Sequence, residues 1–387
     1  MSTSKKITIA VVALIIAGGA FYFLTKPKKA VKKIEINNGQ SESLPIVNEG
    51  PVSPISGLAC ENWNRRPIAV MQPADLTARP AAGFSEADMV VEMPAYTASN
   101  TRLMGIYLCD FPAEAAAIRS GRHDNIHIAK GLDAIFVHWG YSLFAENLIN
   151  KKVIDNVNCL ASPYCDRNQA LIDAGARLED TGRITKENAL KMLEESGYRK
   201  EGKFSGYPHQ AEIPMEKRIE GGHLRVAFAG IYAAEYDYDK ESNSYLRTWG
   251  KVADTDRNNK KRLAPKNVVV IFAVSEQITN TQDYVGKGLQ DPWVEVPEIK
   301  NSGVESISGR YNNIQLGDPW YDSTDSGEAR YYMNGQELNG TWKKDKSRID
   351  SKLFFYDGNG QEIKFVPGQI WLETLEPGQA LRWTPAA

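Results

Sequence analysis

The sequence lacks the short motifs that identify many nucleotide-dependent and hydrolytic enzymes. It contains no phosphate-binding loop, no glycine-rich dinucleotide fingerprint and no nucleophile-elbow serine. A basic stripe with interleaved aromatic residues is also missing, which argues against nucleic acid as a partner. The formal net charge is −2, so no overall electrostatic field favours an anionic surface. Function must therefore be sought in local clusters of residues.

Cysteine is scarce, with four in 387 residues. Cys159 and Cys165 are near enough in the chain to close a small loop, and we expect a disulfide between them if the folded part lies outside the cytoplasm. No second close pair accompanies them, so the sequence predicts no zinc site. An even number of cysteines suits an oxidising compartment, although Cys60, Cys109 and this pair are equally compatible with a reduced, buried state.

Charged residues are absent from the apolar run Ile7–Leu24, which follows two lysines. A membrane-spanning helix needs about 17–20 such residues. The small residues Gly18 to Ala20 leave a cleaved signal peptide open as an alternative, whereas the aromatic residues Phe21 to Phe23 are typical of an interfacial belt. We predict an uncleaved signal anchor with a basic flank over residues 1–33, which contacts the membrane through residues 7–24.

The orientation of this anchor is predicted from two opposed observations. Several lysines follow the apolar run, and the positive-inside rule would keep the C-terminal part in the cytoplasm. The cysteines favour the opposite side. We predict a location on the extracytoplasmic side of the membrane. A linker over residues 34–62, rich in Asn, Gly, Ser and Pro, would hold the folded part away from it.

Two folded domains are predicted after the linker. Residues 63–220 mix strands with helices, which indicates an α/β domain with a mixed sheet. Residues 221–387 contain hairpin-type pairs, which indicate a mostly antiparallel β domain; the pairs are Asn334-Gly335, Asn339-Gly340 and Asp357-Gly358. The main predicted strands cover residues 67–71, 88–94, 101–109, 133–138, 223–229, 267–273, 353–356 and 369–373, and the predicted helices cover 120–131, 143–151, 168–176 and 185–196.

The stretch Ala117–Ser142 places two arginines beside the predicted end of a buried strand. Arg119 and Arg122 flank Ser120-Gly121, where Ser120 is a candidate N-cap of a helix that Gly131 ends. The strand that follows ends at His138. Because ligands in open α/β sheets bind where strands end, we expect the two arginines and His138 to frame one anion-binding site.

Several segments carry a family resemblance, and they occur in the expected order over nearly everything after the linker. They are Arg66–Met71, Ala78–Pro80, Ser85–Glu92, Thr101–Leu103, Ile118–Arg122 and Asp133–His138, followed by Asn334-Gly335, Gly340–Lys344 and Pro367–Trp371. The chain resembles the YerB-like family of bacterial membrane-anchored envelope proteins, whose members carry a companion C-terminal domain. The resemblance implies a two-domain protein held outside the membrane, and it implies no reaction. Family members are typically lipoproteins, whereas this chain has no cysteine directly after its apolar run.

The arginines motivate a binding hypothesis, because guanidinium groups match carboxylates and phosphates. We predict an anionic or glycan-type ligand, bound without cofactor or metal ion by Arg79, Glu92, Arg102, Arg119, Ser120, Arg122 and His138. In this hypothesis Glu92 pairs with Arg102 or Arg119 and no residue is catalytic. The alternative is a cell-envelope hydrolase that uses Glu92 and His138 as acid and base.

Two metal-like patterns are interpreted as structural. His123 and His127 have the i, i+4 spacing of metal ligands, but no third ligand is evident, and we expect both on an exposed helix face. Asp254–Asn258 and Asp322–Glu328 superficially resemble calcium loops but lack the required glycine and terminal glutamate in register. We expect both segments to be solvated turns.

Overall fold

A computed structural model describes residues 50–95, 100–278, 311–318 and 324–386 of the chain. The predicted anchor and the first part of the predicted linker lie outside the described residues. Within those residues, no helix combines the length and the apolar character needed to cross a membrane. Residues 50–62, assigned above to the linker, include the buried side chains of Ile55 and Cys60, so this part packs against the core.

Four α-helices occur in the described residues, and each overlaps a predicted helix. They are α1 (His123–Gly131), α2 (Leu143–Asn150), α3 (Gln169–Asp173) and α4 (Lys186–Glu195). Ser142, Asn168 and Thr185 cap α2, α3 and α4 by accepting a hydrogen bond from a first-turn amide. Ser120 does not cap α1, so that prediction is wrong: α1 begins after Arg122, which makes no capping hydrogen bond.

The strands of the described residues are numbered in chain order. They are β1 (Ile68–Pro73), β2 (Met89–Pro94), β3 (Thr101–Tyr107), β4 (Glu114–Ala116), β5 (Ile135–His138), β6 (Asn156–Asn158), β7 (Asp166–Arg167), β8 (Gly182–Thr185), β9 (Gly222–Val226), β10 (Ala234–Asp239), β11 (Ser244–Trp249), β12 (Val252–Ala253), β13 (Asn267–Phe272), β14 (Ser275–Ile278), β15 (Tyr311–Ile314), β16 (Ser326–Met333), β17 (Gln336–Lys343), β18 (Phe354–Asp357), β19 (Ile370–Leu375) and β20 (Leu381–Pro385). The described residues are therefore mostly β, more so than the predicted α/β class implies.

Ten strands form the largest sheet, in the spatial order β18-β17-β16-β13-β19-β2-β3-β1-β5-β6. Neighbouring strands are parallel at β13/β19, β19/β2, β1/β5 and β5/β6 and antiparallel elsewhere, which confirms a mixed sheet. Because β19 pairs with both β13 and β2, strands from both sides of the predicted domain boundary share this sheet. The boundary near residue 220 stays a prediction.

Three smaller sheets are antiparallel throughout. The five-stranded sheet has the order β12-β11-β10-β9-β20, and the others are β4-β8-β7 and β14-β15. The antiparallel character predicted for the later part of the chain is confirmed by the five-stranded sheet. The five-stranded sheet covers one face of the larger sheet, and its side chains help to bury that face.

The large sheet is buried on both faces. One face packs against α1 and α2, where Ile126 and Leu148 join the core, and the other packs against the five-stranded sheet, which contributes Trp249. In β2 all six residues are buried, with Val91 on the first face and Val90 on the second. This is why β2 reads as a nearly continuous apolar run, as strands covered on both faces do.

The hairpin signals are confirmed in part. Asn334 and Gly335 join β16 to β17 with φ angles of 53° and 73°, the positive values that a type I′ turn requires. A turn also begins at Gly358, directly after Asp357 ends β18, but neither residue has the positive φ of a type I′ turn. Asn339-Gly340 is not a turn: both residues lie inside β17, paired with β16, so this prediction is wrong.

Candidate functional site

A cavity of about 570 Å³ opens at the edge of the large sheet, where β1 and β5 end and β3 begins. Pro73 at the end of β1 pairs with Arg102 near the start of β3, and Trp139 directly follows β5. The wall of the cavity contains four arginines and two carboxylates, namely Arg102, Arg119, Arg122, Arg167, Asp75 and Glu179. We call it the arginine cavity. The sheet edge is where the sequence predicted a site.

The segment before α1 is held at this edge by backbone hydrogen bonds. The Arg119 amide donates to the Met71 carbonyl at 2.8 Å, and the Trp139 amide donates to the Arg119 carbonyl at 2.9 Å. The Ser120 hydroxyl donates to the Trp139 carbonyl at 3.1 Å. Main-chain bonding to β1 and to the end of β5 therefore brings Arg119, Ser120 and Trp139 together, as a strand-end site requires.

Arg119 lines the cavity but is already engaged in ion pairs. Its guanidinium contacts the Asp180 carboxylate and the Glu179 carbonyl, and it lies 3.5 Å from Asp75. Arg177 binds Asp180 from a second direction at 2.8 Å. Burial alone would raise the pKa of Asp180, but the hydrogen bonds from Arg177 and Arg119 bring that pKa below its usual value. Arg119 is thus largely a structural part of the wall.

Arg167 is the cation that the sequence-based prediction missed. Its guanidinium carbon lies 4.4 Å from the ring centroid of Trp139, and Nη1 donates to the Leu178 carbonyl. In the part of the chain that the structure describes, no carboxylate lies within ion-pairing distance of Arg167. Its side-chain hydrogen bonds go to the Leu178 carbonyl and the Thr181 hydroxyl, and it forms no direct ion pair with another described residue. The only sequence signal was its position two residues after Cys165.

The indole ring of Trp139, which supports Arg167, packs closely against the backbone of Gly182. A Cβ atom added at Gly182 would lie 2.7 Å from Trp139 Cε3, so the ring packs directly on this glycine. The Cys159–Cys165 disulfide closes the loop just before β7, which carries Arg167. That bond confirms the expected pairing. Trp139 and the loop together fix the guanidinium over the cavity.

Of the residues predicted to bind the ligand, Arg102, Arg122 and Ser120 also line the cavity, whereas three others do not. Arg79 lies elsewhere, with Nη1 at 3.2 Å from Asp254. Glu92 is fully buried and pairs at 2.6 Å with Arg247, so the expected pairing with Arg102 or Arg119 is wrong. The direction of these side chains depends on the face of the strand that carries them and on distant residues with which they pair. The sequence pattern indicated the face but not the distant partners.

His138 is fully buried behind the cavity wall. Its Nδ1 lies 2.7 Å from the Gly140 carbonyl and its Nε2 lies 3.1 Å from Asn156 Oδ1. Burial lowers the pKa of His138, although the hydrogen bonds to Asn156 and Gly140 oppose this shift. The imidazole is thus a packed core group beside the site. A hydrolytic pair of Glu92 and His138 gains no support, because both side chains are buried and bonded to other groups.

Glu92 belongs to a buried network of charges between the large sheet and the five-stranded sheet. Arg247, fully buried, binds both Glu92 and Asp254, and its guanidinium carbon lies 4.6 Å from the Trp371 ring centroid. Glu373 is the register partner of Glu92 on β19 and accepts a hydrogen bond from Tyr236. Burial, followed by the nearby Glu92 charge, raises the pKa of Glu373 well above its usual value, which favours its neutral form.

Residues of the two metal-like patterns that were expected to be exposed are buried. His123 and His127 are buried rather than exposed, and His127 contacts Asp318. Burial and then the neighbouring His127 lower the pKa of His123 to about 3, so it is neutral. Asp254 is buried and accepts a hydrogen bond from Arg79, so the Asp254–Asn258 segment is not a solvated turn. Part of Asp322–Glu328 lies outside the described residues.

The described residues show no evident metal-binding site. Among the described residues, no group of three or more His, Cys, Asp or Glu side chains is arranged to hold a metal ion. The arginine cavity instead presents guanidinium donors, two carboxylates and the hydroxyl of Ser120. Guanidinium groups are suited to donating charge-assisted hydrogen bonds to anions, whereas the two carboxylates are not.

Comparisons with known proteins identify the family. Residues 55–201 match the model described as "Protein of unknown function (DUF3048) N-terminal domain", and residues 224–296 and 298–372 match its C-terminal domain. A relative from Bacillus subtilis (strain 168), named "Putative lipoprotein YerB", is 24% identical over 343 residues, which cover 87% of this chain and 89% of the relative. The crystal structure of YerB protein from Bacillus subtilis has the same fold, with a TM-score of 0.68 at 22% identity over 86% of this chain and 99% of that one. This chain belongs to the YerB-like family and contains both its N-terminal domain and its companion C-terminal domain.

Proposed function

We propose that this protein is a membrane-anchored, extracytoplasmic envelope protein that binds an anionic ligand in the arginine cavity. The single observation that carries the proposal is Arg167. It is a cation without a carboxylate partner among the described residues, held over Trp139 on a wall that also contains Arg102 and Arg122. A guanidinium in this position gains most from a ligand carboxylate or phosphate.

The proposed location has three independent supports. The four cysteines form two disulfides, Cys60–Cys109 and Cys159–Cys165, and such bonds persist in oxidising compartments. The Bacillus subtilis relative is named as a lipoprotein, which is a membrane-anchored class. The apolar run over residues 7–24 supplies a membrane anchor of a different kind in this chain.

Between an anionic and a glycan-type ligand, the wall favours a ligand that carries negative charge. Neutral sugars bind through hydrogen bonds to their hydroxyl groups and by stacking on an open aromatic face. Trp139 has Arg167 at 4.4 Å from its ring centroid and packs on Gly182 as well, so little of its face is open for a sugar. Asp75 and Glu179 on the same wall would repel a polyanion. A ligand with one or two negative charges, including an acidic sugar, fits these groups best.

The binding test uses D-glucuronate and D-glucose, which differ mainly by one carboxylate. We expect glucuronate to bind the full-length protein more tightly than glucose in isothermal titration calorimetry. The Arg167→Gln substitution should weaken glucuronate binding by about 10- to 100-fold, the scale of a charged hydrogen bond of about 1.5–3 kcal/mol. Added salt should weaken binding as well, because the cavity is open to solvent.

The matched control is Arg225→Gln, which removes an arginine that is 46% exposed and pairs with Glu235 away from the cavity. It should leave glucuronate binding unchanged. Arg119→Gln should instead lower the unfolding temperature, since Arg119 is tied to Asp180. Equal binding of glucose and glucuronate, or normal glucuronate binding by the Arg167→Gln protein, would show that the cavity does not select anions through this residue.

A further inference from the structure

The two carboxylates on the wall of the arginine cavity are not equally paired. Glu179 pairs with Arg177 at 2.8 Å, so its charge is compensated. Asp75 is different, because no cation among the described residues lies closer to its carboxylate than 3.5 Å. Binding of an anion by the arginines leaves this carboxylate without a role, and its position on the wall therefore calls for a second group on the ligand.

The surroundings of Asp75 leave its carboxylate open to a ligand. Arg119 Nη2 contacts Asp180 closely, whereas its distance of 3.5 Å from Asp75 Oδ2 is at the outer limit of a hydrogen bond. Asp75 also precedes the short helical turn Leu76–Ala78 without capping it. A carboxylate has about four acceptor positions, so most of those of Asp75 are unfilled. Its side chain is 32% exposed and can be reached from the cavity.

Arg167 and Asp75 are complementary groups on one wall. Arg167 donates only to uncharged oxygens of the described residues, and Asp75 receives only the long contact from Arg119. The two do not pair with each other. Arg119 connects their positions, because it contacts Asp75 and also the Glu179 carbonyl in the segment to which Arg167 donates. A ligand that spans both groups can therefore supply each with its missing partner.

The charges decide between a simple anion and a zwitterion. A carboxylate bound at Arg167 would feel the negative charge of Asp75 across the same cavity. An ammonium group on the same ligand would cancel this repulsion and donate charge-assisted hydrogen bonds to Asp75. The cavity volume of about 570 Å³ is within the range of sites for small molecules, so one ligand can carry both groups.

We propose that the arginine cavity binds a small zwitterion, with its ammonium group at Asp75 and its carboxylate at Arg167. This is the chemistry of amino acids and of short peptides with free ends. The inference rests on the proposed anion site and deepens it, because it adds a second, oppositely charged group to the ligand.

The probes are two pairs of flexible acids, 4-aminobutyrate with pentanoate and 6-aminohexanoate with heptanoate. Within each pair a methyl group replaces the ammonium, and the two chain lengths span different separations. Binding to the full-length protein is measured by isothermal titration calorimetry at neutral pH. We expect at least one amine to bind about five- to tenfold more tightly than its methyl analogue. This effect is smaller than that of Arg167, because water partly screens the exposed Asp75.

Asp75→Asn should reduce the preference for the amine to less than about twofold. The matched control is Asp350→Asn, which removes a carboxylate that is 52% exposed, pairs with Arg348 and does not line the cavity. This control should keep the preference. Thermal unfolding checks that the Asp75→Asn protein keeps its fold, which we expect because Asp75 makes only the long contact to Arg119.

Glucuronate is titrated in parallel to separate this inference from the proposed function. If glucuronate binds but neither amine exceeds its methyl analogue, the zwitterion inference is wrong and the anion site stands. If neither glucuronate nor any of the four acids binds, the anion site itself is wrong. A preference that survives in the Asp75→Asn protein would place the ammonium group at another residue, and it too would overturn the inference.

Discussion

Glu92→Gln is expected to lower the free energy of unfolding by about 3–5 kcal/mol. The substitution removes the negative charge that lies 2.6 Å from Arg247, and both side chains are fully buried. Arg247 would keep its charge with only Asp254 to balance it, next to the cationic Arg79. An uncompensated charge in the interior is far more costly than a lost surface pair. Urea denaturation at neutral pH, followed by circular dichroism, measures the change.

Glu373→Gln is the matched control, because Glu373 sits beside Glu92 on the neighbouring strand and is equally buried. An amide resembles the neutral carboxyl that burial favours at this position, so we expect a change of less than about 1.5 kcal/mol. If both glutamine variants lost the same stability, the assignment of charge to Glu92 and of a proton to Glu373 would be incorrect.

The pH dependence of stability follows from the same assignment. The pKa of Glu373 in the folded protein is raised above 4.5, so the folded state holds a proton that the unfolded chain has released. The free energy of unfolding should therefore fall as the pH rises from about 4.5 toward the folded-state pKa. This contribution should be missing from the Glu373→Gln protein in a denaturation series at stepped pH. An identical pH profile in the two proteins would contradict it.

Loss of the Cys60–Cys109 disulfide is expected to lower the free energy of unfolding by about 4 kcal/mol. The bond joins residues 49 positions apart, and closing a long loop restricts the unfolded chain strongly. The Cys159–Cys165 bond spans only 6 positions, so its loss should cost about 2 kcal/mol. The measurement compares the two double alanine variants, Cys60→Ala/Cys109→Ala and Cys159→Ala/Cys165→Ala, in denaturant without reductant.

Alkylation supplies the accompanying check on the disulfides. All four cysteines should resist iodoacetamide in the unreduced, unfolded protein and react after a reductant is added. Immediate labelling of the unreduced protein would contradict the disulfides and weaken the extracytoplasmic assignment. Equal destabilisation by the two double variants would show that loop length does not govern their contributions.

Much of the candidate site was predictable because its framework is local. The apolar residues of β5 and of the helix after Arg122 form patterns typical of a strand and a helix. These patterns predicted that the strand end and the arginines beside it lie at one edge of the sheet. The Asn334-Gly335 turn was predictable for a similar reason, since positive φ at two successive residues strongly favours that pair. Arg167 was missed because no local pattern links it to Trp139.

The sequence by itself determined the helices of the described residues, several of the core strands and the family, but it left open the cysteine pairing and the bounds of the long strands β16 and β17. Tertiary structure alone decided which charged groups meet. Glu92 finds Arg247 155 residues away, His123 becomes buried, and Arg119 is occupied by Asp180. Periodicity records which face of an element is apolar, because neighbours in the chain share that face. An ion pair between distant residues leaves no such period, so its partners emerge only when the sheets pack together.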